Sequence, residues 1–401
     1  MPAGPRPLRE GPSALARALG VTRIARLTGL DRTGVEVASA IRPGAHVLQV
    51  TNGKGERFER AAAGALMEAA ELGAAERAVA DAWDTAAALA ARHGAAAVVS
   101  PRALDADGGE QGWDDVRLAW RAGSDLASGR TVLVPAQAVH VTAADGLPLG
   151  PSLLRWTSNG MGAAADRAAA LRHALLEAVE RDRVGRALPE GFTDGEIARR
   201  LLDPARLARV APRAAGLAER IGGRGFRVFL LDLTEPSRSR SRSKSRSRSR
   251  STSTSTSTTT ARVAHLGLPT AAALILDVEG GPVPLAAGYA TRLSRDGALH
   301  AALLEAAQSR ATEIHGARED VAVGDRNAAL ALRGMLEGAR PARDAARMPD
   351  LRAGSDAAAV RTLIRRLRLA GLRGCAVDLP APAGIAVVKV LVPGLLLSEL
   401  L

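Results

Sequence analysis

Short apolar runs alternate with longer Ala/Leu-rich stretches studded with charge along most of the chain. Residues 35–40, 46–50, 96–100, 131–134 and 138–142 are brief apolar runs, and each predicts a short strand. Residues 61–92 predict a helix with a break near Gly73. Thr-Asn-Gly-Lys-Gly at 51–55 and Asn-Gly-Met-Gly at 159–162 predict turns rich in small residues. A strong helix is expected over 168–186, and helical material over 194–221. Strands are expected at 226–233, 271–278 and 385–392, with helices at 299–314 and, strongly basic, at 357–371. Strands and helices thus alternate, which predicts a mixed α/β (α+β) fold of repeated strand–helix units.

The 401 residues are long enough for a sizeable core. Four segments are expected: a flexible start over 1–18, the first part of one domain over 19–236, a low-complexity insert over 237–260, and the second part of the domain over 261–401. The insert is a Ser/Arg run followed by a Ser/Thr run. It repels itself and has nothing apolar to bury, so disorder is expected. It also corrects the meaning of the charge. The net charge is +12, but seven positive charges lie in the insert, and the remainder carries +5. No aromatic residue interleaves the run to stack on bases, so nucleic acid is not the expected partner.

One cysteine, Cys375, excludes an internal disulfide and a Cys-rich zinc site. No apolar run reaches the length of about 18 residues that a membrane helix needs, and the N-terminus lacks the apolar stretch of a signal peptide. A cytoplasmic setting is therefore expected. Neither a phosphate-binding G-x-x-x-x-G-K-[ST] nor a dinucleotide-binding G-x-G-x-x-G follows a strand.

The chemistry lies in a repeat. Ala-Leu-x-Glu-Ala-x-[Glu/Gln] occurs at 65–71, 174–180 and 302–308, each time on an expected helix. Two copies follow an Asn-Gly-x-Gly segment, at Asn52 and Asn159. Positions i and i+3 share a helix face, so Glu68 points with Glu71, Glu177 with Glu180, and Glu305 with Gln308. The apolar residues between them place these faces near the core, where carboxylates repel and need neutralising. Mg²⁺ suits such oxygen donors and is held by one or two carboxylates together with phosphate oxygens. The spacing therefore points to a nucleotide–metal site built from helices far apart in sequence. A solvated helix face is the plainer reading of any single Glu pair. Likewise, Lys54 also reads as a solvated turn lysine, Arg310 and Arg318 as partners of Glu313 or Glu319, and His173 as a structural imidazole.

The segments NGKG…ALMEAAELGAAE (52–76), SNGMG…LRHALLEAVERDR (158–183) and EAAQSR…IHGARED (305–320) resemble the YcaO family. So do the lead-in at 20–44 and the ending IAVVKVLVPGL at 385–395, so the likeness covers about residues 19–396. The resemblance implies one domain around a central nucleotide site, with ATP and Mg²⁺ as cofactors. It implies an enzyme that phosphorylates a peptide backbone amide to drive cyclodehydration or thioamidation of a ribosomal peptide or protein. It places the metal ligands at Glu68, Glu71, Glu177 and Glu180, and nucleotide contacts at Lys54, Asn159, Gln308, Arg310 and Arg318. It implies a homodimer and a TfuA-like or ThiF-like partner protein. Departures are Gly64, where the family has Ser, and Ala164 and Ala169, where it has Gly and an acid. They keep open a degenerate scaffold that binds a peptide without turnover; an accessory factor for ribosomal-protein methylthiolation, a label some members of the family carry, is a separate alternative.

Overall fold

Among the described residues three antiparallel sheets organise the chain, and each ends in an edge strand that leads directly into a long helix. The computed structural model describes residues 14–105, 110–141, 148–235, 266–318 and 326–396. The expected insert at 237–260 and most of the expected flexible start lie outside the described residues; within the start, α1 (Ala14–Ala18) is helical.

The first sheet orders β1 (Arg23–Arg26), β2 (Glu36–Ile41) and β3 (Val50–Gly55), with Ser39 opposite Asn52. β3 feeds α2 (Phe58–Ala75). After α2 come β4 (Ala82–Asp84), α3 (Ala86–His93), β5 (Leu118–Asp125), β6 (Thr131–Pro135), β7 (Met161–Ala164) and α4 (Arg167–Ala187). Helices α5 (Asp194–Arg200), α6 (Leu207–Val210) and α7 (Pro212–Gly222) lead to β8 (Phe226–Asp232), β9 (Thr270–Asp277), β10 (Leu285–Thr291) and α8 (Arg295–His315). The chain closes with α9 (Arg326–Gly338), α10 (Asp356–Leu369), β11 (Cys375–Leu379) and β12 (Ala386–Leu391). The second sheet runs β10-β9-β8, and the third β4-β5-β11-β12-β7 with β6 also on β5. β8 and β9 pair along their length, and the expected insert falls in the sequence between them.

Residues 51–55 are not a turn. They belong to β3, because their small side chains let α2 lie directly on the strand. A Cβ on Gly53 would sit 2.0 Å from the Ala61 carbonyl oxygen and 2.3 Å from the Ala65 nitrogen. The same contact recurs twice. A Cβ on Gly162 of β7 would meet the Ala170 oxygen at 2.3 Å, and one on Gly288 of β10 would meet the Ala306 nitrogen at 2.1 Å. Each unit is therefore an edge strand whose glycine admits the backbone of the following helix. The alanines of the three heptapeptides provide the other half of this close approach.

The expected long helix at 61–92 stops after Ala75, past Gly73, and is followed by β4 and α3. Residues 96–100 and, as far as residue 141, the expected strand at 138–142 form 3₁₀ turns and loop instead of strands; residue 142 lies outside the described residues. Apolar content alone could not separate these states. Two large cores flank the three units. One packs α7 and α8 on β8, β9 and β10. The other packs α4 and α10 on β12.

Candidate functional site

Helices α2, α4 and α8 bring their acids to the junction of the three edge strands. An edge strand presents backbone N–H groups that its own sheet leaves unpaired, and here the acids take them. Glu68 accepts from the Asn52 N–H at 2.7 Å, within its own unit. Glu71 accepts from Ala163 of β7 at 2.7 Å, and Glu180 accepts from Thr291 of β10 at 2.8 Å. The circuit closes where the Asn52 side-chain amide on β3 donates to Thr312 Oγ1 on α8 at 2.8 Å. Each unit is thus tied to the next, and the third returns to the first.

Glu177 accepts no hydrogen bond among the described residues and is half-buried. Glu305 is bound at 3.1 Å by Lys54 Nζ. Arg318 lies 3.5 Å from Glu68, and Arg292 lies 3.9 Å from Glu180.

Burial is the first cause of the electrostatics. It drives Glu71 well above the usual carboxylate range, and the charges on Glu177 and Glu68 add to the rise. Burial raises Glu177 to about 7 against the opposing field of Arg181, with Glu180 adding to it. Burial and then Glu305 raise Glu180 to about 7. Glu305 itself lies below its ordinary value, because Lys54 and Arg181 outweigh the upward push of burial. His173 lies at the surface of α4, where crowding by the protein, then the positive Arg292, Lys54 and Arg172, push its imidazole down to about 4.

The acids found by pattern, Glu68, Glu71, Glu177 and Glu180, meet at this junction with Lys54 and Arg318. Asn159 is buried in the turn before β7, where its carbonyl accepts from Lys389 at 2.6 Å. The Gln308 carbonyl accepts from Thr312 Oγ1, and its side chain makes no hydrogen bond among the described residues. Arg310 is placed elsewhere. Its guanidinium is 2.9 Å from Asp31 and 2.8 Å from Asp277, donates to the Val283 carbonyl, and lies over the Phe226 ring. It therefore locks the second sheet to the loop before β2, and its donors are taken.

Pattern reading missed two cations and left one acid unassigned. Glu305 was seen as the partner of Gln308 but not as part of the acid cluster. Arg181 directly follows Glu180, yet adjacent helical residues do not share a face, so spacing gave no signal. Its Nε is buried without a hydrogen-bond partner, and among the described residues no carboxylate lies within ion-pair distance. Burial opposes its charge, but Glu180, Glu177 and Glu305 hold its pKa above the ordinary value. Lys389 interrupts the apolar run of β12 and is only 2% exposed.

Among the described residues, no group of three or more His, Cys, Asp or Glu side chains is gathered tightly enough to hold a metal ion. The donors present are hard carboxylate oxygens of the kind that hold Mg²⁺ together with phosphate; Glu177 and Glu180 are raised to about 7, and Glu68, Glu71 and Glu180 are each tied to the backbone through one oxygen. Cavities of about 380 Å³ beside Thr193 and about 260 Å³ beside Arg42 lie away from these acids. No helix among the described residues is long and apolar enough to cross a membrane.

Comparison with known proteins agrees with this architecture. The sequence profile of a cyclodehydratase family described as ATP- and Mg²⁺-binding matches residues 52–396. That family is YcaO, and the chain belongs to it. ATP with Mg²⁺ was the expected cofactor pair, and the family's description bears it out. An uncharacterized protein of Methanothermobacter thermautotrophicus is 31% identical over 94% of this chain and 90% of its own length. An uncharacterized protein in the tfuA 3′ region of Rhizobium leguminosarum bv. trifolii is 28% identical over 76% of this chain. The chain spans 65% of that relative's length. The structure of YcaO from Methanopyrus kandleri bound with AMPPCP and Mg²⁺ superposes with a TM-score of 0.64 at 22% identity. It covers 95% of this chain and 87% of its own, which shows the shared mixed α/β fold.

Proposed function

We propose that this chain uses ATP and Mg²⁺ to phosphorylate the oxygen of a peptide backbone amide in a ribosomal peptide or protein. The observation that carries the reading is the meeting of Glu71, Glu177 and Glu180, from two helices, with ionisation suppressed by burial. Glu68, Glu71, Glu177 and Glu180 would hold the cations, with Glu305 beside them. Bound Mg²⁺ supplies charge neutralisation of the ATP phosphates. Lys54, Arg181 and Arg318 supply fixed positive charge for the same phosphates, of the kind that phosphoryl transfer uses. Lys54 and Arg318 also hold Glu305 and Glu68 in place.

In the reaction, a nucleophile adds to the amide carbon and its proton leaves to solvent or a base. The amide oxygen then takes the γ-phosphoryl group and ADP departs. Loss of inorganic phosphate carries that oxygen away as a carbon–nitrogen double bond forms with release of the amide N–H proton, or a carbon–sulfur double bond forms with release of the remaining proton or carrier on sulfur. An internal thiol or hydroxyl as nucleophile gives an azoline, and a sulfur donor gives a thioamide. His173 stands one helical turn from Glu177, but with its imidazole lowered to about 4 it is a weak proton acceptor near neutral pH.

The rhizobial relative's place beside tfuA supports a TfuA-like partner protein, with a ThiF-like protein as the second class. A homodimer and a cytoplasmic setting complete the reading, the latter supported by a single buried thiol. A scaffold without turnover is the competing reading, and an accessory role in ribosomal-protein methylthiolation is a third. Ala169, which stands where a further acid was expected, favours the scaffold.

Calorimetric titration of ATP with Mg²⁺ into the parent and into Glu177→Gln/Glu180→Gln tests the site. Magnesium-dependent binding by the parent alone is expected. No binding by the folded parent overturns the reading, and binding without ADP release in the presence of peptide and partner favours the scaffold.

A further inference from the structure

Lys389 stands in the middle of β12, between Val387 and Leu391, which lie in an apolar layer with Met161, Val377 and the α2 residues Ala70 and Ala74. A lone ammonium in such a layer is costly unless it is hydrogen-bonded and counter-charged. The hydrogen bonds are present. Nζ donates to the carbonyls of Thr157 and Asn159, both at 2.6 Å, and lies 5.7 Å from the centre of the Trp156 ring. The counter-charge is less direct. Burial lowers the ammonium to about 8, and the nearby Glu177 and Glu71 oppose that fall. Among the described residues neither acid forms an ion pair with it. Lys389 stands opposite Met161 of β7, two residues from Ala163, whose N–H binds Glu71, so two carbonyls fix the charge beside the strand that carries the acid.

We propose that Lys389 is the resident counter-charge of the carboxylate cluster, fixing the Asn159 turn and holding down the affinity for free divalent cations until nucleotide phosphates bring ligands of their own. This rests on the proposed role of the acids in holding cations. A positive charge fixed near Glu71 and Glu177 repels an incoming dication, and the repulsion is strong where water is excluded. Phosphates reverse the balance, since they add negative charge to the same space. Lys389 acts here through the acids and the turn, and is a positioning residue.

The test is Mn²⁺ binding to the full chain without nucleotide, read from the spin signal of the free ion. Lys389→Gln keeps N–H donors for the two carbonyls and removes the charge, whereas Lys389→Arg keeps the charge. Lys389→Gln is expected to bind Mn²⁺ about tenfold tighter than the parent, and Lys389→Arg to stay within about twofold of it. A residue that only props the turn predicts the opposite sign, because loosening the turn weakens the site. A folded Lys389→Gln that binds Mn²⁺ no tighter than the parent overturns the proposal. If Lys389→Gln does not fold, Lys389→Gln/Glu71→Gln, which removes the ammonium together with one of the two acids that sustain it, is expected to fold. Failure of both to fold overturns the counter-charge role. If the parent and Glu177→Gln/Glu180→Gln bind Mn²⁺ alike, with ATP and without, the cation reading of the cluster fails first and takes this inference with it.

Discussion

Asn52 and Thr312 are joined by a hydrogen bond of 2.8 Å across 260 positions of sequence. Asn52 is buried, and its side-chain oxygen also accepts from Ser39 at 2.5 Å while its backbone N–H goes to Glu68. One residue therefore couples the β2–β3 pairing, the α2 acid and α8. Thr312→Val keeps the shape and removes the acceptor, leaving the Asn52 amide unpaired. The expected loss is about 1–3 kcal/mol, read by urea denaturation. Thr312→Ser should retain most of the stability, since it keeps the hydroxyl.

The strand–helix contacts give a second prediction. Gly53→Ala, Gly162→Ala and Gly288→Ala each drive a methyl into helix backbone, which has no side chain to swing aside. Each should cost about 1–3 kcal/mol or more. Gly216→Ala in α7 is the contrast, since its nearest neighbour is a mobile arginine tip at 3.9 Å. It should be neutral or gain about 0.5–1 kcal/mol from helix propensity. Thermal denaturation of the four variants would separate the two classes. Equal effects at all four would contradict the close approach.

The pH dependence of the cation-free protein follows from Glu177 and Glu180. Burial first, with repulsion among the acids, raises both to about 7 in the folded chain, against about 4.3 for an unfolded Glu. A carboxyl raised on folding contributes stability that is complete below the unfolded value and is lost as pH rises through the folded one. Between pH 6.5 and 8, above the ordinary imidazole range, the melting temperature in EDTA should fall in the parent. It should fall less in Glu177→Gln/Glu180→Gln. A parent curve as flat as the variant's would show that these acids ionise normally.

Arg181 supplies a fourth prediction. Its guanidinium is set in the field of Glu177, Glu180 and Glu305 with no ion-pair partner among the described residues, and its buried Nε is left for a ligand. Arg181→Met should weaken Mg²⁺–ATP binding by roughly tenfold or more, as loss of a charge-assisted contact does. Arg181→Lys should recover only part of it, since a point charge does not reproduce the planar fork. Calorimetry reads both.

The acids were legible because helix geometry converts sequence spacing directly into a shared face, and that argument needs no tertiary information. Lys54 and Arg318 were reached through resemblance, and both lie beside the acids. Arg310 shows the limit of that route. It belongs to the same motif, but its face of α8 meets Asp31 and Asp277, and only the packing of the second sheet reveals this. Residues 51–55 were misread for a related reason. Small residues at a tight turn and small residues under a crossing helix have the same composition. What separates them is the alanine face of α2, which lies outside the local window. Lys389 was visible only as a flaw in an apolar run, because its partners are main-chain carbonyls that any sequence would provide.

The hydrogen bonds from edge strands to acids have an evolutionary consequence. Glu68, Glu71 and Glu180 each receive a backbone N–H that would otherwise be buried and unpaired. A descendant that no longer turned over ATP could not discard these side chains without loosening the seams between its three units. Selection for folding alone would preserve them. Glu177, which receives no such bond, is free of that constraint, and in a lineage that lost catalysis it is the acid that would drift first.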